Sequence, residues 1–312
     1  MMNYKSCADY LRKEDNYLIL SHKNPDGDTM GSCAALCRAL RRIGKTAYLY
    51  PNADVIKKMR PYVEKFYAGD DFAAERIISV DVAAESLFAA GFEGSVDLCI
   101  DHHPSNSRYA KKLLLKAEKA SCGEVVMELV KQLCGDITKE EADLLYIAVS
   151  TDTGCFMYAN TRPDTHRAAA KLMEYGADCM VINQIFFKKK SAARLRLEGM
   201  VFSSMSFYRD GEIAVVKITR DMLNKAGATE DDLDDIAGLA GMAEKSLVNI
   251  TIREKSDGSS KVSLRSGKEV NSSRICAVFG GGGHDMAAGC TISSAPDKAE
   301  KMLLEVINEV WK

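Results

Sequence analysis

Ten cysteines are present, yet none forms a Cys-x-x-Cys pair. That absence sets aside a zinc ribbon or a thioredoxin-like redox motif. The cysteines are scattered, several inside apolar runs, and read as small buried hydrophobes. Such usage fits a reducing compartment, and the chain is expected to be cytoplasmic. An apolar signal-peptide core is missing from the N-terminus. No uninterrupted apolar run approaches the ~18 residues of a membrane span. Internal repeats and low-complexity tracts are missing too. There is no excess of charge of either sign: 42 Lys and Arg stand against 44 Asp and Glu, a net −2 with His neutral. Grip on long duplex nucleic acid by sheer electrostatics requires a strongly basic face, so that class is excluded. A short anionic ligand held by metal and a few basic groups is not.

What is present is a chain of 312 residues, 46% hydrophobic, enough for one large or two ordinary domains with a sizeable core. Apolar runs at 17–20, 46–50, 76–80 and 96–100 read as strands. Between and after them lie helical patterns, among them 29–42 with Met30, Cys33, Cys37 and Leu40 on one stripe and Gly44 past its end. Two more helices are expected over 125–133 and 139–149, and another from Pro163. This alternation predicts an α/β domain with a mainly parallel sheet flanked by helices.

Chemistry-bearing residues gather at the exits of these elements. His22, Asn24, Asp26 and Asp28 follow the first run, Asp81 the third, Asp101-His102-His103 the fourth, and Asp152 the helix over 139–149. Ligands of open parallel sheets bind at that edge. Carboxylates and imidazoles without thiolates suit a hard or borderline cation such as Mn²⁺. Any one of these residues could merely cap a helix, but several clusters converging on one edge call for a metal site. Four of the five histidines fall in such motifs, and His166 reads as a helix-surface residue.

The texture changes near 186–200. The domain organisation expected is 1–187 for the metal-binding domain, 188–203 for a helical linker whose charges read as a solvated face, and 204–312 for a smaller α/β domain. In the last, Asp210-Gly211 and Asp257-Gly258 each sit between apolar-rich runs and predict hairpins. A short helix near 272–279, four glycines with His284, a strand 287–292 and a closing helix with Ala299, Met302, Leu303, Val306 and Val310 follow.

Five stretches together resemble a DHH/DHHA1-family phosphoesterase. They are His22-Lys23-Asn24-Pro25-Asp26-Gly27-Asp28, Val80-Asp81, Asp101-His102-His103, Ser150-Thr151-Asp152-Thr153-Gly154, and the run from Gly280 to Gly289 containing Gly281, Gly282, Gly283 and His284. They occur in family order and span nearly the whole chain. The resemblance implies two divalent cations, Mn²⁺ first, with Mg²⁺ or Co²⁺ as substitutes. One would take His22, Asp26 and Asp81, the other Asp28, Asp81, His102 and Asp152, with Asp81 bridging. It further implies catalytic roles for His103 at the substrate, Asp101 behind it and Asn24 near the phosphate, with in-line attack by a hydroxide held between the metals. Substrate binding would fall to Arg265, Gly281, Gly282, Gly283 and His284.

Among family members the architecture is most like the stand-alone nano-RNases and pAp phosphatases. The implied activity is hydrolysis of RNA of two to five nucleotides to mononucleotides, of 3′-phosphoadenosine 5′-phosphate (pAp) to AMP, or both. The alternative is a phosphodiesterase for cyclic di-AMP, pApA or pGpG; the rival of another class is a non-catalytic nucleotide-binding protein. The expected partner is short RNA or a nucleotide, with no long duplex and no membrane, and a homodimer is allowed.

Overall fold

Short runs of Ile, Leu and Val build the first sheet, and their order in it places the polar residues that follow them. In this computed structural model residues 1–233 and 236–311 are described, and the chain divides into two units, Met1–Lys189 and Lys190–Lys312. In the first unit, strands β1 (Tyr17–Leu20), β2 (Ala47–Leu49), β3 (Arg76–Val80), β4 (Leu98–Asp101) and β5 (Lys112–Leu115) form a parallel sheet in the order β2-β1-β3-β4-β5. From β1 the chain goes outward to β2 on one side and returns to β3 on the other. The strand order thus reverses between β1 and β3, the crevice where doubly wound sheets bind ligands. Strand β5 was not anticipated, because Leu113, Leu114 and Leu115 between lysines make a run too short to assign by periodicity.

Helices α1 (Tyr4–Lys13), α2 (Gly27–Arg42), α3 (Arg60–Val63), α4 (Cys122–Cys134), α5 (Lys139–Asp152), α6 (Pro163–Glu174) and α7 (Cys179–Asn183) complete this unit. The most deeply buried is α2, whose small residues let it lie close on its neighbours. A Cβ at Gly31 would stand 2.4 Å from the Leu144 carbonyl oxygen, and one at Gly27 2.5 Å from Thr151 Oγ1, so α2 and α5 touch at backbone level. The same contact ties the start of α2, which carries Asp28, to the end of α5, which carries Asp152. Gly31→Val is therefore expected to overpack this seam and cost about 3 kcal/mol, read as a lower urea midpoint. Gly199→Ala is the control: its Cβ would meet nothing within 4 Å among the described residues, and in a helix it should stabilise by up to ~1 kcal/mol.

The second unit is a six-stranded sheet in the order β10-β11-β9-β8-β7-β6. Its strands are β6 (Ser206–Tyr208), β7 (Ile213–Ile218), β8 (Val248–Glu254), β9 (Ser260–Ser266), β10 (Gly282–His284) and β11 (Ala287–Ile292), antiparallel except for β7 with β8. Both Asp-Gly hairpins form. Helices α8 (Ala192–Ser203), α9 (Arg220–Ala226), α10 (Ser272–Ala277) and α11 (Pro296–Val310) pack on it. One face buries Val215, Val248, Ile250, Val262, Leu264 and Ile292 against Ile275, Leu303 and Ile307. Ala214, Val216 and Ile218 on the other face meet Leu197 and Val201 of α8.

The stretch expected as a linker with a solvated charged face forms helix α8 against the second unit's sheet. Lys188, Lys189, Lys190 and Arg196 are exposed, as expected, whereas Arg194 and Glu198 are buried. Arg194 Nε donates to Glu198 Oε1 at 2.8 Å, and Lys190 Nζ reaches the same carboxylate at 2.7 Å. Two cations keep that buried carboxylate satisfied. No helix among the described residues is long and apolar enough to cross a membrane.

Candidate metal centre

Three strands of the first sheet end within reach of each other, and their exits carry the acidic and imidazole groups. His22 follows β1. Asp81 follows β3 in the left-handed region at φ 63°, an uncommon conformation that Asp and Asn tolerate best. Asp101 ends β4, so His102 and His103 emerge beside it. Asp26 caps α2, its Oδ1 accepting from the Thr29 amide at 3.0 Å. Asp28, one residue inside α2, is turned toward the start of α4, where its carboxylate accepts from the Cys122 and Gly123 amides at 2.7 and 2.8 Å. Those free amides at a helix start favour an anion.

The ligand atoms converge. His22, Asp26 and Asp81 present atoms within 4.8 Å of one another; so do Asp28, His102 and Asp152, and so do Asp81, His102 and His103. The imidazoles are aimed by what their other nitrogen meets. His102 Nδ1 lies 3.2 Å from the Lys119 carbonyl oxygen, which makes it the donor and leaves Nε2 bare. That Nε2 faces Asp81 Oδ1 at 3.5 Å and Asp28 Oδ2 and Asp152 Oδ2 at 3.8 Å. Likewise His22 Nδ1 sits 2.7 Å from the Lys23 carbonyl oxygen, with Nε2 4.0 Å from Asp81 Oδ2. This arrangement, one nitrogen tethered and the other free, is how histidines serve as metal ligands. His103 differs: its Nδ1 donates to Asp101 Oδ1 at 2.8 Å, so the nitrogen nearest Asp81 is already engaged.

The electrostatics are unbalanced in the metal-free chain. Burial first, then the neighbouring carboxylates, push Asp28 and Asp81 well above the usual carboxylate range. Asp152 is pushed up to about 6 by burial and by Asp26. Burial and the neighbouring His103 lower His102, whereas the hydrogen bond to Asp101 raises His103. Burial opposes ionisation of Asp101, but hydrogen bonds from His103, Asn106 and the His103 amide hold it below its ordinary value. Among the described residues the ion pairs of Asp28, Asp81 and Asp152 are with histidines alone. Asp81 Oδ1 is buried without a hydrogen-bond partner among the described residues. A buried carboxylate oxygen left bare among other carboxylates is costly unless a cation meets it. The donor set, oxygen and imidazole nitrogen with no sulfur, fits a hard or borderline divalent ion.

Several supporting groups had no sequence signal. Thr29 Oγ1 donates to Asp81 Oδ2 at 2.6 Å, Asn106 Nδ2 to Asp101 Oδ2 at 2.6 Å, and Asn160 Nδ2 reaches Asp152 Oδ2 at 3.4 Å. Asn24 is exposed at φ 50° in the loop before α2 and belongs to none of the three groups. In the second unit, Arg265 is exposed on β9 and His284 on the edge strand β10, both opposite Ala287 on either side of β11. The glycine run is thus partly strand rather than a free loop. Gly281 is there for contact: a Cβ would stand 2.3 Å from the Gly289 carbonyl oxygen. Gly283, at φ 150°, meets the backbone of Ala287 and Ala288 as closely. His166 is an exposed helix residue stacked on Phe156.

Residues 16–149 match the DHH family, N-terminal domain, and residues 210–312 the DHHA1 domain. The chain is 33% identical over 296 residues to the bifunctional oligoribonuclease and PAP phosphatase NrnA of Thermus thermophilus, covering 93% of this chain and 89% of the relative. Its structure is similar to that of an exopolyphosphatase-related protein of Bacteroides fragilis, with TM-score 0.86, 25% identity and coverage of 98% and 96% of the two chains. A RecJ structure with Mn²⁺ from Thermus thermophilus shares the fold at TM-score 0.53 and 14% identity, over 98% of this chain and 54% of that one. With both domains matched and a relative similar along nearly its whole length, the chain belongs to the DHH/DHHA1 family and is a hydrolase of phosphoester bonds.

Proposed function

We propose that this hydrolase removes mononucleotides from RNA of two to five nucleotides and converts pAp to AMP, with Mn²⁺ as its metal. The observation that carries the reading is the near-full-length similarity to an oligoribonuclease and PAP phosphatase, joined to a cluster whose donors suit two ions. In this reading His22, Asp26 and Asp81 hold one ion, and Asp28, Asp81, His102 and Asp152 the other. Two bound cations supply Lewis acidity at a phosphoryl group and counter the charge that develops on it.

The chain's own residues do the rest. The Lys119 and Lys23 carbonyl oxygens keep His102 and His22 in the tautomer with Nε2 bare. The α4 amides hold Asp28 in place. Asp101, itself fixed by Asn106, keeps the proton on His103 Nδ1 and favours its charged form. A charged His103, partly exposed beside the carboxylates, can donate to a phosphate oxygen or a leaving group. In the second unit Arg265 grips phosphate through its guanidinium and His284 adds a further donor. Asn24 in this reading contacts the phosphate from the loop before α2.

The test offers the purified protein with Mn²⁺, Mg²⁺ or Co²⁺ a side-by-side panel: pAp, RNA of two to five nucleotides, pApA, pGpG, cyclic di-AMP and pyrophosphate. Mononucleotides from the short RNAs and AMP from pAp are expected, with pyrophosphate untouched. Preference for cyclic di-AMP or pyrophosphate would overturn the assignment. His284→Ala should raise KM about 10- to 100-fold, the value of one hydrogen bond to a charged group, without loss of metal. Metal loss in that variant, measured by elemental analysis, would show that His284 acts elsewhere.

A further inference from the structure

The register of the second sheet lines up residues on a face that the core leaves partly open. Directly opposite residues share a face. One row runs His284, Ala287, Arg265, Asn249 across β10, β11, β9 and β8. The next runs Gly282, Gly289, Ser263, Thr251. The intervening residues Ala288, Leu264 and Ile250 point the other way, into the core. With strands ~4.8 Å apart, the stems of Arg265 and His284 stand about 10 Å from each other across the small Ala287. Beside them a Cβ at Gly282 would meet nothing within 4 Å among the described residues. The row therefore holds the small residue Ala287 and is flanked by Gly289 and Gly282.

Asn249 sits at the end of that row, beside Arg265, with one half of its amide spoken for. Ser246 Oγ lies 2.6 Å from Asn249 Oδ1 and 3.0 Å from the Val248 carbonyl oxygen, so its single proton goes to the shorter contact. That contact fixes the amide's orientation and leaves Nδ2 the outward group. Among the described residues Nδ2 has no hydrogen-bond partner. The neighbour at this point is Gly241, where even a Cβ would stay 3.6 Å from Nδ2. A half-buried amide, oriented by a neighbour, with two unused donors beside a guanidinium, is built to meet an acceptor.

We propose that Asn249 is a further substrate-binding residue, its Nδ2 donating to the substrate phosphate that Arg265 grips. The proposal rests on the reading of this face as the nucleotide-binding face. Asn249→Asp separates the two roles the residue can have. It keeps the oxygen that Ser246 binds but replaces the donor with an anionic oxygen. In the full-length, metal-loaded protein it should leave the melting temperature unchanged and kcat within about twofold. KM for pAp and pApA should rise about 30- to 100-fold, as expected when a hydrogen bond to phosphate is exchanged for like-charge repulsion. Asn249→Ala should raise KM about tenfold. Wild-type KM in Asn249→Asp overturns the proposal and leaves Asn249 a purely structural partner of Ser246. Arg265→Ala keeps the two levels apart. If it raises KM while Asn249→Asp does not, only the role of Asn249 fails; if it leaves KM unchanged, the reading of the whole face fails.

Discussion

Asp81→Asn is expected to abolish hydrolysis, by about a thousandfold or more, while leaving the chain folded. That loss corresponds to roughly 4 kcal/mol of transition-state stabilisation, the order of magnitude of a Lewis acid misplaced at the phosphoryl group. Asparagine is the right replacement because the backbone at this position has φ 63°, which Asn tolerates and Ala does not. It also keeps an oxygen for the proton of Thr29 Oγ1, which now lies 2.6 Å from Asp81 Oδ2. What it removes is the charge. In the metal-free protein that charge is a burden, since Asp81 is buried, its Oδ1 is bare, and Asp28 is its strongest electrostatic opponent. The variant should therefore melt at the same temperature as the parent in chelator, or higher, and gain less from added Mn²⁺. Three readouts check this: turnover of pAp, metal content after dialysis, and melting with and without chelator. Near-normal turnover would rule out a bridging role for Asp81. A collapse of the chelator-treated variant would show that its carboxylate holds the fold rather than a metal.

The place of Asp81 also shows what the sequence makes legible and what it hides. Strand exits can be read because a polar cluster after an apolar run marks where a chain leaves a buried sheet, as at Leu20, Val80 and Asp101. The switch between β1 and β3 follows once the strands are ordered, but the order itself comes from packing, and β5 was missed because its leucines are flanked by lysines. The groups that aim the site were hidden for another reason. The Lys119 carbonyl that orients His102 and the Cys122 and Gly123 amides that hold Asp28 are backbone atoms, which every residue has and no letter distinguishes. Arg194 looked, with its exposed neighbours, like surface charge because its pairing with Glu198, four residues on, reads the same whether or not the helix face is buried. Asn249 carried no signal at all. It matters only through a strand register that sets it beside Arg265.

Removing the metal should make stability fall as pH rises, and restoring it should reverse that dependence. In the metal-free chain burial and neighbouring carboxylates hold Asp28 and Asp81 well above the ordinary value of 3.8, and Asp152 is raised to about 6. A carboxylate with a raised folded-state pKa keeps a proton that the unfolded chain releases. Folded protein then binds more protons than unfolded, and stability decreases with pH. The contribution is complete below 3.8 and is lost as pH climbs through about 6 for Asp152, and higher for the two deeper groups. The raised His103 acts in the same direction, the lowered His102 opposes it, and the depressed Asp101 changes state below this window; three raised carboxylates outweigh the one lowered imidazole. Chelator-treated protein should accordingly melt at a higher temperature near pH 5 than near pH 7.5. Divalent ions need the deprotonated carboxylates, so they compete with these protons and bind more tightly as pH rises. At a hundredfold excess over Kd the ion adds about 2.7 kcal/mol, or roughly 5–10 °C for a unit of this size. The gap between loaded and chelated melting temperatures should widen from pH 5 to pH 7.5, and Asp81→Asn should flatten the chelated slope. A chelated protein whose stability instead rises across that interval would mean that something other than metal already neutralises these carboxylates, and the two-ion reading would fall with it.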